Sequence, residues 1–204
     1  MNTVTNARKL TLADIADLRA YERERDEFRA KVMDLKRKRR VSVGPIITLL
    51  FENRDTIRFQ VQEMARVEKL ISDEAIEGEL KVYNPLIPEP GMLCATLFLE
   101  LTDEMQLREW LPKLVGIERS VHLRIGDGDD AVAVSSIPEK SHEAQLTREE
   151  TTASVHYIWF QLDPEAIDRF ANEAVTLVID HDHYQHCTPL DPATVAELLS
   201  DLRD

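Results

Sequence analysis

Apolar residues recur at helical spacing through the first half of the chain, and this pattern predicts a helix-rich region. A first helix is predicted from the capping-box pattern of Thr11 and Asp14 to about residue 36, although its charged middle, ERERDE, also fits a break between two helices. A second helix is predicted from Glu52 to about Ile71, because Ile57, Val61, Met64, Val67 and Ile71 form an apolar stripe along one face of it. Ser72 or Asp73 then begins a further helix that stops before Asn84 and Pro85.

Strand patterns dominate the second half. The predicted strands cover residues 92–101, 119–125, 131–134, 155–162 and 175–180, and Gly126–Asp130 forms the turn of a hairpin. Residues 39–51 fit two short strands or one kinked strand, and the polar residues 136–150 predict a loop. Asp163–Pro164 and Asp191–Pro192 each mark the start of a helix. These elements predict an α+β fold with a largely antiparallel sheet packed against helices, and with a helix-rich N-terminal half.

Length and composition predict one cytoplasmic domain over residues 1–204, in which residues 1–38 form a helical segment that can pack as an appendage. No apolar run approaches the roughly 20 residues that span a bilayer, and the N-terminus carries no apolar export segment. The two cysteines, Cys94 and Cys187, do not form a disulfide framework. The net charge of −13 argues against general nucleic-acid binding. The basic run from Lys36 to Arg40 fits either a local contact with an anion or an RNA backbone or, as the favoured interpretation, a helix C-terminus.

A cluster of metal-binding residue types lies near the C-terminus. His181, His183, His186 and Cys187 fall within seven residues. In a continuing strand His181 and His183 share a face, which makes them a two-ligand clamp, with His186 supplied by the loop that follows. The alternative interpretation is a polar strand end, whose histidines bond only to local backbone.

Two further residues can complete such a site. In VHYIWFQL, His156 shares a strand face with Ile158, Phe160 and Leu162. It is therefore either a core histidine or a ligand near His181 if residues 175–180 pair beside it. Glu68 falls within the apolar stripe of the second helix. A carboxylate in that position must be ion-paired, protonated or bound to a metal.

Several segments resemble one bacterial family, known as domain of unknown function 3501. They are RRVSVGPIITLLFENRDTIRFQVQEMARVEKL, YNPLIPEPG, SVHYIWFQLDPE and VIDHDHYQHC. The resemblance implies a genomic association with a rubrerythrin-like protein and an iron–sulfur protein, and therefore a role in iron or redox chemistry. It also implies the motif positions Glu52, Arg54, Asp55, Gln62, Glu63, Glu68, Tyr83, Asn84, His156, His181 and His186. His183 departs from the family pattern, so His181 and His186 become the favoured pair of metal ligands.

Three hypotheses follow. The first is a cytoplasmic accessory protein of a redox or oxidative-stress system, which binds a transition metal such as iron or docks on the rubrerythrin-like or iron–sulfur partner. Its metal ligands are His156, His181, His186 and Glu68, with His183 as a further candidate. The second is a metal-dependent oxidoreductase or hydrolase in which Glu63 or Asp55 moves protons. The third is a metal-free interaction module.

Overall fold

The computed structural model describes residues 8–139 and 150–203, and these residues confirm the α+β fold. Their helices are α1 (Leu18–Arg39), α2 (Arg54–Glu68), α3 (Asp73–Tyr83), α4 (Glu104–Lys113), α5 (Pro164–Asn172) and α6 (Pro192–Arg203). Their strands are β1 (Arg40–Val43), β2 (Ile47–Glu52), β3 (Met92–Leu99), β4 (Val121–Ile125), β5 (Val132–Ser135), β6 (Ile137–Pro138), β7 (Val155–Gln161), β8 (Val175–His181) and β9 (Tyr184–Pro189). The chain divides into two compact units, which we call unit 1 (Met1–Lys38 and Glu52–Glu89) and unit 2 (Arg39–Phe51 and Pro90–Asp204).

Unit 1 is helical, as the first half of the sequence predicts. Tyr21 and Val32 of α1 are buried, together with Ile57 and Val61 of α2. Phe28 joins the two helices through aromatic contacts, since its ring centroid lies 6.2 Å from that of Tyr21 and 5.9 Å from that of Phe59. The charged segment ERERDE lies within α1, so the alternative of a break between two helices is wrong.

Unit 2 contains two sheets. The five-stranded sheet has the order β1-β2-β3-β7-β6, and the four-stranded sheet has the order β5-β4-β8-β9. The pairs β1–β2, β3–β7, β6–β7, β4–β5, β4–β8 and β8–β9 are antiparallel. Apolar side chains from both sheets and from α5 and α6 form one buried core, which includes Leu97, Phe160, Phe170, Leu177 and Leu198. The prediction of a largely antiparallel sheet is confirmed, but the strands form two sheets.

Helix starts follow the predicted capping residues in three of four places. Ser72 Oγ accepts a hydrogen bond from Ala75 N, and the aspartates before α5 and α6 accept bonds from backbone N–H groups of the first turn. The box of Thr11 and Asp14 does form, but it opens only the single 3₁₀ turn Leu12–Asp14. Asp17 instead caps α1, because its Oδ1 accepts from the N–H groups of Arg19 and Ala20.

The structure decides between the two interpretations of residues 39–51 and corrects part of the loop predicted over residues 136–150. Residues 39–51 form two strands joined at Gly44, whose φ of +69° suits glycine. Residues 137–138 of the predicted loop form strand β6, and residues 140–149 lie outside the described residues. None of the described helices has the length and apolar character needed to cross a membrane.

The basic run at the end of α1 contacts carboxylates and an aromatic ring. Arg37 pairs with Asp34, and Lys36 lies over the Phe59 ring at 5.2 Å from its centroid. Arg39 is 1% exposed and binds two carboxylates of α6. These contacts agree with a helix end as the role of the run.

Candidate functional site

The predicted histidine cluster lies on the β8–β9 hairpin. Strand β8 ends at His181, and residues 182–183 form the turn before Tyr184. His183 therefore lies in the turn, because the strand that would place it on one face with His181 has ended. His186 lies on β9, opposite Ile179, and not in a loop. The geometry assumed for the two-ligand clamp is wrong in both respects.

Both ring nitrogens of His181 make hydrogen bonds that fix its tautomer. Its Nε2 lies 3.1 Å from the carbonyl oxygen of Val115, which can only accept, so Nε2 carries the proton. Its Nδ1 accepts from the backbone N–H of His183 at 3.2 Å. A neutral ring satisfies both contacts and leaves no lone pair for a metal. In this arrangement His181 closes the hairpin turn and ties it to Val115.

His186 packs against an aromatic ring. Its ring centroid lies 4.5 Å from that of Tyr184, whose hydroxyl donates to Val43 O at 2.7 Å and accepts from Ile46 N at 3.2 Å. A Cβ atom at Gly44 would collide with the His186 ring and the Tyr184 hydroxyl. His186 thus helps to hold β9 against the turn between β1 and β2.

His156 is a buried histidine with local partners. Its Nε2 lies 3.0 Å from Ala153 O and 2.9 Å from Thr152 Oγ1, so Nε2 carries a proton that the carbonyl accepts. Burial lowers the pKa of His156, while the charge of Glu118 and the Ala153 carbonyl act in the opposite direction. Strand β7 pairs with β3 and β6, whereas His181 and His186 belong to the other sheet. The pairing that would bring His156 beside residues 175–180 does not form.

Glu118 is a buried carboxylate that the sequence analysis missed. It is 3% exposed, and its Oε2 makes no hydrogen bond within the described residues. It lies in a 3₁₀ turn after Gly116, where no periodic pattern marks a residue as buried. Its charge acts to raise the pKa of His156, which burial lowers.

Glu68 is exposed, and the predicted buried face of α2, which includes Glu68, is partly wrong. The buried residues of α2 are Thr56, Ile57, Phe59, Val61, Gln62 and Ala65. The helix ends at Glu68 because Lys69 adopts the left-handed conformation, with φ of 57°. Val67, within the helix, is 67% exposed, and Ile71, beyond its end, is 89% exposed, so neither belongs to the buried face. Glu68 belongs to unit 1 and the three C-terminal histidines to unit 2.

The residues proposed for proton transfer make structural contacts. Glu63 accepts hydrogen bonds from Arg25 Nε and Nη2, both at 2.8 Å, and from the Tyr21 hydroxyl at 2.6 Å. Arg25 is the main reason why the pKa of Glu63 is lowered, so this carboxylate stays ionised near neutral pH. Asp55 lies exposed in the first turn of α2, after the N-cap Asn53. Proton transfer by either residue stays a prediction.

Structural contacts also account for other motif positions. Asn84 pairs with the backbone of Leu10 through bonds of 2.8 and 2.9 Å, and Gln62 pairs with the backbone of Ala16 through bonds of 3.0 and 2.9 Å. Each side-chain amide satisfies one N–H and one C=O of a segment without a strand partner. The side chain of Arg54 forms an ion pair with Asp14. These motif positions fix residues 10–16 within unit 1.

The predicted metal ligands do not converge in the described part of the chain. No three side chains of His, Cys, Asp or Glu lie close enough together there to hold a metal ion. The prediction of bound iron stays a prediction.

An apolar groove in unit 1 is the candidate site that the sequence analysis missed. We call it the α2–α3 groove. It has a volume of about 350 Å³, and its apolar lining includes Leu12, Ile15, Leu18, Leu70, Ile71 and Ile76. The left-handed Lys69 turns the chain out of α2 and presents Leu70 and Ile71 to it. The apolar residues of the Val67–Ile71 stripe are the sequence signal for this groove, but the same pattern equally predicts a buried core.

Comparison with known proteins supports the family resemblance. A family model described as protein of unknown function (DUF3501) matches residues 9–202. The chain is similar to a crystal structure of a novel protein of unknown function from Burkholderia pseudomallei K96243, with 36% sequence identity and a TM-score of 0.86 over 95% of this chain and 99% of that one. No curated protein matches the chain. With nearly its whole length matched, the chain belongs to the DUF3501 family.

Proposed function

We propose that this chain is a cytoplasmic accessory protein of a redox or oxidative-stress system, and that it acts by docking on another protein. The α2–α3 groove supports docking. The rubrerythrin-like protein and the iron–sulfur protein implied by the family resemblance are the candidate partners. Cytoplasmic location is part of the proposal and agrees with the reduced state expected for two cysteines that do not form a disulfide framework.

The exposure of Ile71 is the observation that carries the proposal. This side chain is 89% exposed at an apolar groove, although it follows a helix whose other face is buried. Burying one such side chain contributes about 1.5–3 kcal/mol, so a partner that covers it gains substantial free energy of association. Ile71 is not an isolated apolar residue, because further apolar side chains line the same groove, and a contiguous apolar surface is typical of a protein-binding site.

The side chains that are candidates for catalysis or metal binding make structural contacts, and this favours docking over a reaction as the function. Glu63 is held by Arg25 and Tyr21, His181 uses both ring nitrogens, and His156 is buried with its Nε2 proton bound to a carbonyl. Each group therefore has a structural role that explains its presence without a reaction.

Isothermal titration of the purified chain with each candidate partner tests the proposal. We expect one partner to bind, and Ile71→Glu to weaken the affinity at least tenfold because it places a charge in the apolar contact. Met105→Glu is the matched control, since Met105 is 77% exposed on α4 of unit 2 and lies outside the groove. Circular dichroism of both variants checks that the fold is kept. Absence of binding by both partners, or equal losses in the two variants, would overturn the proposal.

A further inference from the structure

We infer that the occupant of the α2–α3 groove is an amphipathic helix of a partner protein, with an apolar stripe flanked by lysine or arginine. This inference rests on the proposed docking function and names the chemistry of the segment that docks. The apolar lining of the groove is complementary to the apolar stripe of such a helix. The acidic residues along the α3 side of the groove are complementary to its flanking lysines or arginines.

Helix α3 presents acidic residues that no described residue neutralises. It contains Asp73, Glu74, Glu77 and Glu79 against one basic residue, Lys81. Within the described residues, none of these four carboxylates lies within ion-pairing distance of a lysine or arginine. Six carboxylates elsewhere in unit 1 do form ion pairs; these pairs are Lys9–Glu89, Arg25–Glu63, Lys31–Glu27, Arg37–Asp34, Arg54–Asp14 and Arg66–Glu22. Among the residues that the structure describes, the α3 side of the groove thus carries acidic side chains without ion-pair partners.

The position of these acids relates them to the groove. Asp73 lines it together with Asp17 and Arg19, and Glu77 lies one helical turn beyond Asp73 on the same face of α3. Burial first, and then the charge of Glu68, raise the pKa of Glu79, so Glu68 and Glu79 repel one another. A partner with cations beside its apolar stripe relieves this repulsion when it binds.

Charge also makes a second copy a less favourable occupant than a cationic partner. Each chain carries a net charge of −13, so two copies repel one another at long range. Unit 1 has 15 basic and 16 acidic residues, while unit 2 has 10 basic and 22 acidic residues. The acidic field of the whole chain attracts a cationic segment, and the groove supplies the short-range apolar contact.

Fluorescence anisotropy with two synthetic peptides tests the inference. The probes are an 18-residue helical peptide of leucine and lysine and its counterpart in which glutamate replaces every lysine. We expect the lysine peptide to bind at least about tenfold more tightly at low salt, with a preference that decreases as salt screens the charges. Asp73→Asn with Glu77→Gln should weaken its binding about fivefold. Asp127→Asn with Asp129→Asn removes the same charge from exposed positions of unit 2 and should change the affinity less than twofold.

The variants separate two kinds of failure. If Ile71→Glu abolishes binding but both double variants have equal effects, or if the two peptides bind alike, the inferred charge preference is refuted and groove docking stands. If Ile71→Glu and Met105→Glu leave binding of the lysine peptide unchanged, the groove is not the site, and the proposed function fails together with the inference. A dimer in analytical ultracentrifugation that Ile71→Glu dissociates would show that a second copy is the occupant and refute the inference.

Discussion

Arg39 offers the sharpest test of how the fold of unit 2 is stabilised. Its guanidinium binds Asp201 through two bonds of 2.6 and 2.9 Å, and it binds Glu197 at 3.1 and 3.3 Å. The side chain is 1% exposed, so solvent screens these contacts little. The variant Arg39→Ala removes the cation from two largely buried carboxylates one turn apart on α6. Breaking a buried ion pair by removing one partner typically costs about 3–5 kcal/mol.

Urea unfolding followed by tryptophan fluorescence measures this loss. Both tryptophans of the chain, Trp110 and Trp159, lie in unit 2, so the signal reports on the unit that Arg39 stabilises. With a dependence of about 2 kcal/mol per molar urea, a loss of about 4 kcal/mol lowers the midpoint by about 2 M. Arg39→Lys should recover part of the loss, because it keeps the charge but not the bidentate geometry.

The neighbouring Arg40 provides a matched control. It pairs with Glu100 at 3.2 Å, but both side chains are about half exposed, and exposed pairs contribute about 0–1 kcal/mol. We expect Arg40→Ala to shift the midpoint by less than about 0.5 M. Equal shifts for Arg39→Ala and Arg40→Ala would refute the reasoning that burial makes the difference.

Three further outcomes are expected. Lys69→Gly should raise the free energy of unfolding by about 0.5–1 kcal/mol in thermal or urea denaturation, because glycine adopts the left-handed conformation without the Cβ clash; a decrease would contradict this. His156 has a lowered pKa when folded, so its contribution to stability is present above the unfolded value of about 6.5 and is lost as pH falls from there towards the folded value. Urea midpoints between pH 7.5 and 5 should therefore fall less steeply in His156→Gln than in the parent. His181→Ala should destabilise the chain by about 1–2 kcal/mol through two lost hydrogen bonds without changing its metal content; iron that disappears from the variant on elemental analysis would instead establish His181 as a ligand.

Local chemistry explains which parts of the fold the sequence predicts well. Ser72 and Asp163 begin helices because a side-chain oxygen bonds an N–H group three residues later, and that contact needs no knowledge of distant chain. The hairpin of β4 and β5 is also local, because Gly126 and Gly128 adopt the positive φ angles of its turn. The division of the strands into two sheets is a long-range property, and alternation along a single strand does not encode it.

The candidate site is harder to predict, because the local helical pattern continues beyond the end of the helix. The apolar stripe from Ile57 to Ile71 extends past Glu68, whereas α2 stops where Lys69 turns left-handed. No glycine marks that stop, so the sequence offers little warning of it. The stripe therefore predicts a buried Ile71, whereas the structure exposes this side chain at the groove. The distance between His156 and His181 depended on sheet membership, which the sequence could not supply.

The link between Arg39 and α6 has a consequence for synthesis of the chain. Unit 1 is encoded before residue 90, whereas the carboxylates that bind Arg39 lie on α6, 158 and 162 residues after it in the chain. On the ribosome, where N-terminal segments emerge first, this ion pair cannot form until α6 has been synthesised. Polypeptides that lack α6, through truncation or stalled translation, should keep the first helical unit and expose an incomplete second one to proteases.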